Sequence, residues 1–408
     1  MTKETLRLTG TLGVSALMLI GIFPAVHAAS FVSQGHAAGA QCVATGVNNS
    51  AVVVGSCTPA SVSAPRTAWM ASTVGTQISL PALASGQNCS AGGITDSGTI
   101  LGACRSSSNV RHAVTWQSSS PATAPVRLLP LPGLLGLLAD VRTEPASFNG
   151  QGDVGGLSIG ADGDRTAVVW LSGSANAIAV STRGDNCAPM DVSESTVNSR
   201  PAVALSCPNS TGTYTAKVAQ ATGLLNAYVA TALAVPAGSS YCSLTAINSA
   251  MQILGTCHSA SPDMPRVAFW NSPSASPVVL SNSARSQAIA LNNGGNAIIS
   301  FQDADGNEEA AFWNPGTGTF TVVAPIAGGT RNDAIDIADN DFVIVNSENN
   351  DQNDEAALWR SSTGTVGVGF YDNGEESFFT AVSTNGQYAV GGALDSNDDE
   401  SAVITTLP

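Results

Sequence analysis

The chain has 408 residues, with 15 Lys and Arg against 30 Asp and Glu and a formal net charge of −15. That acidic balance disfavours a nucleic-acid partner, which needs a basic footprint. Only 5% of residues are aromatic, and the 41 glycines suit thin strands and tight turns.

Residues 1–28 read as a secretory leader: Lys3 and Arg7 form a basic head, Leu12 to Phe23 an apolar stretch, and Val26-His27-Ala28 a small-residue cleavage site. The apolar stretch is short for a membrane span and no comparable run follows, so no integral membrane segment is expected after cleavage. The mature chain, from residue 29, is expected free in the periplasm or outside the cell, as a monomer.

From residue 29 to 408 the sequence repeats. The first landmark of each unit is an apolar residue, a short Asn/Asp/Ser/Gly turn and an apolar run. It occurs at Val47–Gly55, Ile94–Gly102 and Phe148–Gly156, in degenerate form near Val192, and at Ile247–Gly255, Leu291–Ile299, Ile337–Val345 and Val382–Gly392. Six tryptophans close a second landmark downstream: Trp69, Trp116, Trp170, Trp270, Trp313 and Trp359. Unit four has Ala219 or Gln220 in place of tryptophan, and unit eight Ile404 or Thr405. Eight units at intervals of roughly 44 to 55 residues have the period of propeller blades. Each unit reads as four strands, the turn residues joining the first two in a hairpin and the tryptophan lying on the third. The fold predicted is therefore all-β, a single eight-bladed β-propeller of four-stranded antiparallel blades. The last unit ends after its third strand, so Ser30–Ser33 is expected to supply its fourth and close the ring.

The cysteines fall in the same register. Cys42/Cys57, Cys89/Cys104 and Cys242/Cys257 are each centred on a hairpin turn, and Cys187/Cys207 spans the degenerate one. Residues directly opposed at non-hydrogen-bonded sites lie close enough to bridge, so four intra-blade disulfides and an oxidising compartment are expected.

This pattern resembles the HAF-type extracellular repeat proteins of bacteria, whose unit runs apolar-Asn-x-x-Gly-x-apolar-apolar-Gly and then a short strand ending in tryptophan. Ile247–Gly255 with Arg266–Trp270, and Ile94–Gly102 with Arg111–Trp116, fit best. The resemblance covers about residues 40–405. It implies a secreted propeller and brings no catalytic residues.

Charge is uneven: residues 301–408 hold 19 acidic and 2 basic side chains, residues 29–300 hold 10 and 11. The acids concentrate in the loops between strands two and three of the last three units, Asp303–Glu309, Glu348–Glu355 and Asp395–Glu400. These loops should share one face with connections such as Asp372–Glu376, building an acidic rim. Oxygen donors at this density suit calcium, and Asp303, Asp305, Glu308, Asp351, Asp354, Asp398 and Asp399 are the candidate ligands. The spacing is not that of an EF-hand, and solvated turns have the same composition. Asp162-Gly-Asp164 is a smaller acidic turn.

Gly156-Leu-Ser158-Ile-Gly160 matches the serine-hydrolase pentapeptide by letter, but on a strand rather than at a strand-to-helix elbow. Only His36, His112 and His258 are available as bases after the leader. The recurring tryptophans, and Arg66, Arg111, Arg165 and Arg266 before them, read as packing and loop pairing. No catalytic set or cofactor motif is present. The reading is a non-catalytic propeller that binds a protein, polysaccharide or other macromolecule, or a surface glycan, through its loop face, with calcium as the candidate assisting cation. The alternative is a propeller-type glycan lyase or hydrolase using carboxylates at the central channel, with Asp153, Asp191, Asp336 and Asp339 on or near the inner strands. Two buried channel carboxylates with raised pKa would favour the enzyme, and an empty apolar channel would sink it.

Overall fold

A computed structural model describes residues 30–35, 40–61, 64–72, 76–84, 87–133, 139–223, 227–259, 264–280 and 285–408. The leader reading and His36 lie outside the described residues. The chain forms eight four-stranded antiparallel sheets, and no helix is present among the described residues. Blade one comprises Gln41–Val47, Val53–Thr58, Thr67–Ala71 and Ile78–Ser79, and the next six repeat that order. Blade eight takes Ser377–Val382, Tyr388–Leu394 and Glu400–Thr406 from the C-terminal end of the chain, and its fourth strand, Val32–Ser33, from the N-terminal end. Val32 pairs with Ile404 and Ser33 with Val403, so the expected ring closure is formed.

First strands of neighbouring blades lie against one another around the axis, whereas fourth strands such as Ile78–Ser79 and Val126–Arg127 are exposed at the rim. Each hydrophobic cluster spans two adjacent blades. One joins Val54, Ala68 and Met70 of blade one to Ile94, Ile100, Val114 and Trp116 of blade two. A single blade cannot bury both faces, so the ring supplies the core.

Five tryptophans hold one register: Trp116, Trp170, Trp270, Trp313 and Trp359 each face the first residue of the apolar run, for example Ile100 opposite Trp116. Trp69 departs from it. It stands two residues earlier, opposite Gly55, and Ala71 takes the shared position. Ala219 and Thr405 fill that place in blades four and eight. The rings seal blade to blade. The Nε1 atoms of Trp116, Trp170 and Trp270 donate to the carbonyls of Pro81, Leu129 and Ala234 beyond the preceding blade's fourth strand, at 2.8 to 2.9 Å. Trp313 and Trp359 lean on Phe269 and Phe312 of the preceding blade.

Six first strands carry a single bulge shortly before the apolar residue of the hairpin turn, as between Ala44 and Gly46; blade two adds a second shift between Gln87 and Ser90, and blade four is more irregular. The bulged residue turns towards the next blade, where Ile289 and Ile335 pack against the shared core. Thr45 and Thr380 use its freedom to donate their hydroxyls to carbonyls of the next blade, Ala91 and Ala44. All four disulfides form as paired above, with Cα atoms 4.0 to 4.1 Å apart. Disulfides persist in oxidising environments, and four of them suit the folded chain to such an environment. Among the described residues no helix is long and apolar enough to cross a membrane.

Candidate functional site

Three regions gather polar side chains: the hairpin-turn mouth of the channel, the channel wall, and the opposite face with the loops between strands two and three.

At the turn mouth the recurring asparagine ties blades together. Asn48, Asn149, Asn248 and Asn292 are buried, and each donates Nδ2 to a carbonyl of the next blade: Thr95, Ser193, Asn292 and Ala338. Their Oδ1 atoms cap amides of their own turns. Outside them runs a second ring. Asp96 accepts from Asn49, Glu194 from the amide of Gly150, Asn293 from the amide of Ser249, and Asp339 from Asn293. Burial raises the pKa of Glu194, the Gly150 amide opposes this, and the neighbouring Asp153, Asp339 and Asp96 raise it further. These carboxylates are staples between blades.

On the channel wall, Asp191 of blade four and Asp336 of blade seven follow the bulge, where the other blades have Gly46, Gly93, Ser147, Ala246, Ala290 and Ala381. Asp191 accepts the amides of Val192 in its own strand and Ile247 of the next blade, both at 2.9 Å. Asp336 likewise accepts from Ile337 at 2.8 Å and Val382 at 3.5 Å. The bulge leaves an inner-strand amide without a ladder partner, and the aspartate satisfies it. Burial pushes Asp191 up to about 7 despite those two amides, with Glu194 adding to the rise. Burial pushes Asp336 up to about 6, against its two amides and with no second carboxylate contributing. The channel wall therefore holds two half-buried carboxylates of raised pKa, on blades four and seven, each committed to backbone donors. Asp153 caps the amide of Ser172 and accepts from Asn149.

The pH dependence follows from these groups. A carboxylate whose folded pKa exceeds its unfolded value of 3.8 costs stability when ionised, so Asp191 and Asp336 add stability as pH falls through about 7 and 6. His112 works the other way. Burial, then Arg127, lowers it from 6.5 to about 4, so its contribution is full above 6.5 and is lost as pH falls towards 4. Asp191→Asn/Asp336→Asn keeps an acceptor oxygen and removes the charge. Calorimetry is expected to show the double variant more stable than the parent at pH 8, by about 2 kcal/mol. Its rise in melting temperature on acidification from pH 8 to 5 should be smaller than the parent's, since Asp191 and Asp336 no longer contribute and the loss at His112 opposes what Glu194 still adds. A double variant with the parent's pH profile would contradict this assignment.

On the loop face, each acidic turn is organised by its first polar residue. Asp303 Oδ1 accepts the amides of Asp305 and Asn307, both at 2.9 Å; Asn349 and Asp395 do the same in the next two blades. Asp305 and Asp398 are exposed. Glu308 accepts from the Ser300 hydroxyl, and Asp354 pairs with Arg331 at 2.6 Å. Thr330, in the connection entering blade seven, donates to Glu348, so these connections and the acidic loops do share a face. Asp351 and Asp399 donate their backbone amides within their own turns. The structure leaves the seven candidate ligands on three separate loops. Among the described residues, the one group of three or more potential metal donors within 4.8 Å is Asp185, Cys187 and Cys207, whose cysteines are bridged to each other.

Ser158 is fully buried, donates to Asp140 at 2.5 Å and accepts the amide of Leu131. Arg183 holds the other oxygen of Asp140 at 2.5 Å. The pentapeptide is therefore part of a closed structural network. His112 is buried, and His258 stacks on Tyr241 with ring centroids 4.6 Å apart.

Sequence reasoning missed a cleft between blades five and six that opens on the loop face. Its volume is about 290 Å³, and its walls include Ser243, Thr256, His258, Arg285, Gln302 and Glu308.

No protein-family model matches this chain, and no curated protein matches it. Solved structures do. Prolyl oligopeptidase B from Galerina marginata aligns over 88% of this chain and 54% of its own, at 9% identity and a TM-score of 0.56. The dipeptidyl peptidase 4 of Porphyromonas gingivalis aligns over 91% and 58%, at 10% identity and 0.55. A post-proline cleaving enzyme from Rickettsia typhi aligns over 90% and 57%, at 9% identity and 0.53. The chain thus spans a little over half the length of each of these peptidases. At such identities the likeness is one of fold, a propeller scaffold common to all four.

Proposed function

We propose that this protein is a secreted or periplasmic binding scaffold of the HAF-repeat type, which engages a macromolecular partner or surface glycan through the face carrying the loops between strands two and three. The observation that carries this reading is the asymmetry of that face. It gathers the acidic loops of three consecutive blades, six to eight, on a ring held by inter-blade hydrogen bonds and, in blades one, two, four and five, by disulfides. Rigid scaffolds that present variable loops are built for recognition. Calcium is the cation that the candidate carboxylates would take, with waters and carbonyls completing its shell.

The test is surface plasmon resonance against immobilised glycans and cationic polypeptides, in calcium and in chelator. Neutralising Asp305, Asp351, Asp398 and Asp399 together to Asn is expected to weaken capture at least about ten-fold, equivalent to about 1.4 kcal/mol. Calcium should raise the melting temperature saturably, and Asp303→Asn/Asp305→Asn should remove that rise. Capture indifferent to the four neutralisations would refute the loop-face reading.

Asp191 and Asp336 favour the second reading, a lyase or hydrolase acting at the channel, because such chemistry uses carboxylates whose pKa is raised by burial. Release of reducing ends from a bound polysaccharide, abolished in Asp191→Asn/Asp336→Asn, would establish it in place of the first.

A further inference from the structure

The cleft between blades five and six has walls held from both sides. The Thr256 hydroxyl of blade five accepts the amide of Ala288 at 3.0 Å, and the Ser286 hydroxyl of blade six accepts the amide of Val267 at 3.1 Å. The backbone of Arg285 is fixed by the amide of Gln302, which donates to its carbonyl at 2.9 Å. The two faces of the cleft are therefore set before any ligand arrives. Its volume, about 290 Å³, lies at the lower limit of small-molecule sites.

The lining decides the ligand class. It contains one cation, Arg285, and one carboxylate, Glu308, so no strong net charge selects an anion or a cation. The Arg285 guanidinium makes no hydrogen bond or ion pair among the described residues, and its five donors remain available. Around these stand the amides of Gln287 and Gln302, which donate and accept alike, and the hydroxyls of Ser243 and Ser300, the latter giving its proton to Glu308 and so offering an acceptor. The chief apolar surface is Phe301, held edge-on by Phe320 with centroids 5.8 Å apart. A phosphate would meet a single arginine opposed by Glu308. An apolar peptide side chain would find too little apolar wall. A neutral sugar ring matches what is present, since vicinal hydroxyls bridge planar guanidinium, carboxylate and amide groups, and its C–H face can rest on an aromatic ring.

We infer that this cleft binds one neutral, polyhydroxylated sugar unit of an extracellular glycan, gripped by Arg285, Gln302 and Glu308. The inference rests on the loop-face binding proposed above and names its ligand class.

Calorimetry would titrate the folded chain with maltotriose, cellotriose and mannotriose, and with trigalacturonate, inorganic phosphate and triglycine as competing chemistries. Saturable binding of a neutral trisaccharide, weakened at least ten-fold by Arg285→Ala and by Gln302→Ala, is the expected result. Both side chains are exposed, so thermal unfolding should show the variants as stable as the parent. Absence of heat with every neutral trisaccharide at about 10 mM, a range where even millimolar affinities register, would overturn the inference. So would binding that survives both variants, or preferential binding of trigalacturonate, phosphate or triglycine. If the four loop neutralisations abolish macromolecular capture while Arg285→Ala leaves it intact, the loop-face function stands and the sugar cleft falls.

Discussion

A chain that begins at Ala40, lacking Ser30–Gly35, is expected to unfold at a markedly lower temperature than one beginning at Ser30, with a loss of about 4–6 kcal/mol. The segment is short, but it supplies the fourth strand of blade eight and so joins the two ends of the chain within one sheet. Val32 and Ser33 pair with Ile404 and Val403, the amide of Gln34 donates to Ala402, and Gln77 of blade one donates to the carbonyl of Gly35. Phe31 packs edge-on against Phe379, with centroids 5.9 Å apart. Backbone bonds at about 1 kcal/mol each and one largely buried aromatic at about 2 kcal/mol give the stated range. Deletion also leaves Glu400–Thr406 as an open sheet edge, a template for association with other chains. Calorimetry with light scattering checks both effects. Phe31→Ala alone should lose about 2 kcal/mol without aggregation. A truncated chain that melts with the parent and stays monomeric would mean that closure contributes nothing.

The closure was legible because period is what a repeat writes most plainly. Turn residues, cysteines midway about them and a recurring tryptophan gave the blade count, the disulfide pairs and the vacancy in blade eight. Trp69 shows the limit of that reading. The run Thr67-Ala-Trp-Met-Ala71 ends on an apolar residue beyond its tryptophan, and only the ladder reveals the two-residue offset. The buried asparagines were visible but read as turn formers, since Asn favours turns in any case. Their bonds to the next blade are contacts between units, which one unit's sequence does not encode. Asp191 and Asp336 were singled out as inner-strand carboxylates, whereas their capture by amides of blades five and eight depends on the bulges. The sugar cleft left no local pattern at all, because Ser243 and Glu308 come from different blades and become neighbours only when the blades stack.

Gly102→Ala is the second large expected effect, a loss of about 3 kcal/mol, and it tests why the repeat ends its apolar run with glycine. At Gly102 an added Cβ would overlap the carbonyl of Ser90 across the bulged pair and stand 2.7 Å from the Trp116 ring. Gly55 and Gly156 meet the same two obstacles, the ring being Trp69 or Trp170. Neither obstacle is the free end of a flexible side chain, so relief requires the bulge to open or the indole to leave its place. The indole is tied to Pro81 of the preceding blade, so moving it also loosens the seal between blades. Blades six and seven have Ile299 and Val345 at this place, and there Trp313 and Trp359 lean on Phe269 and Phe312 instead. In blades one to three glycine and a ring over the strand thus go together, as in blades six and seven do a bulky residue and a ring turned to its neighbour; at Gly255 of blade five the side chain of Leu244 stands beside the position instead. Gly92 is the internal control. It is the exposed, bulged residue of the same blade, its nearest obstacle is the carbonyl of Leu101 at 3.8 Å, and its φ is not in the left-handed region. Gly92→Ala should therefore be near neutral. Equal losses at the two positions, measured by denaturant unfolding, would trace the effect to glycine's backbone freedom and refute the steric account.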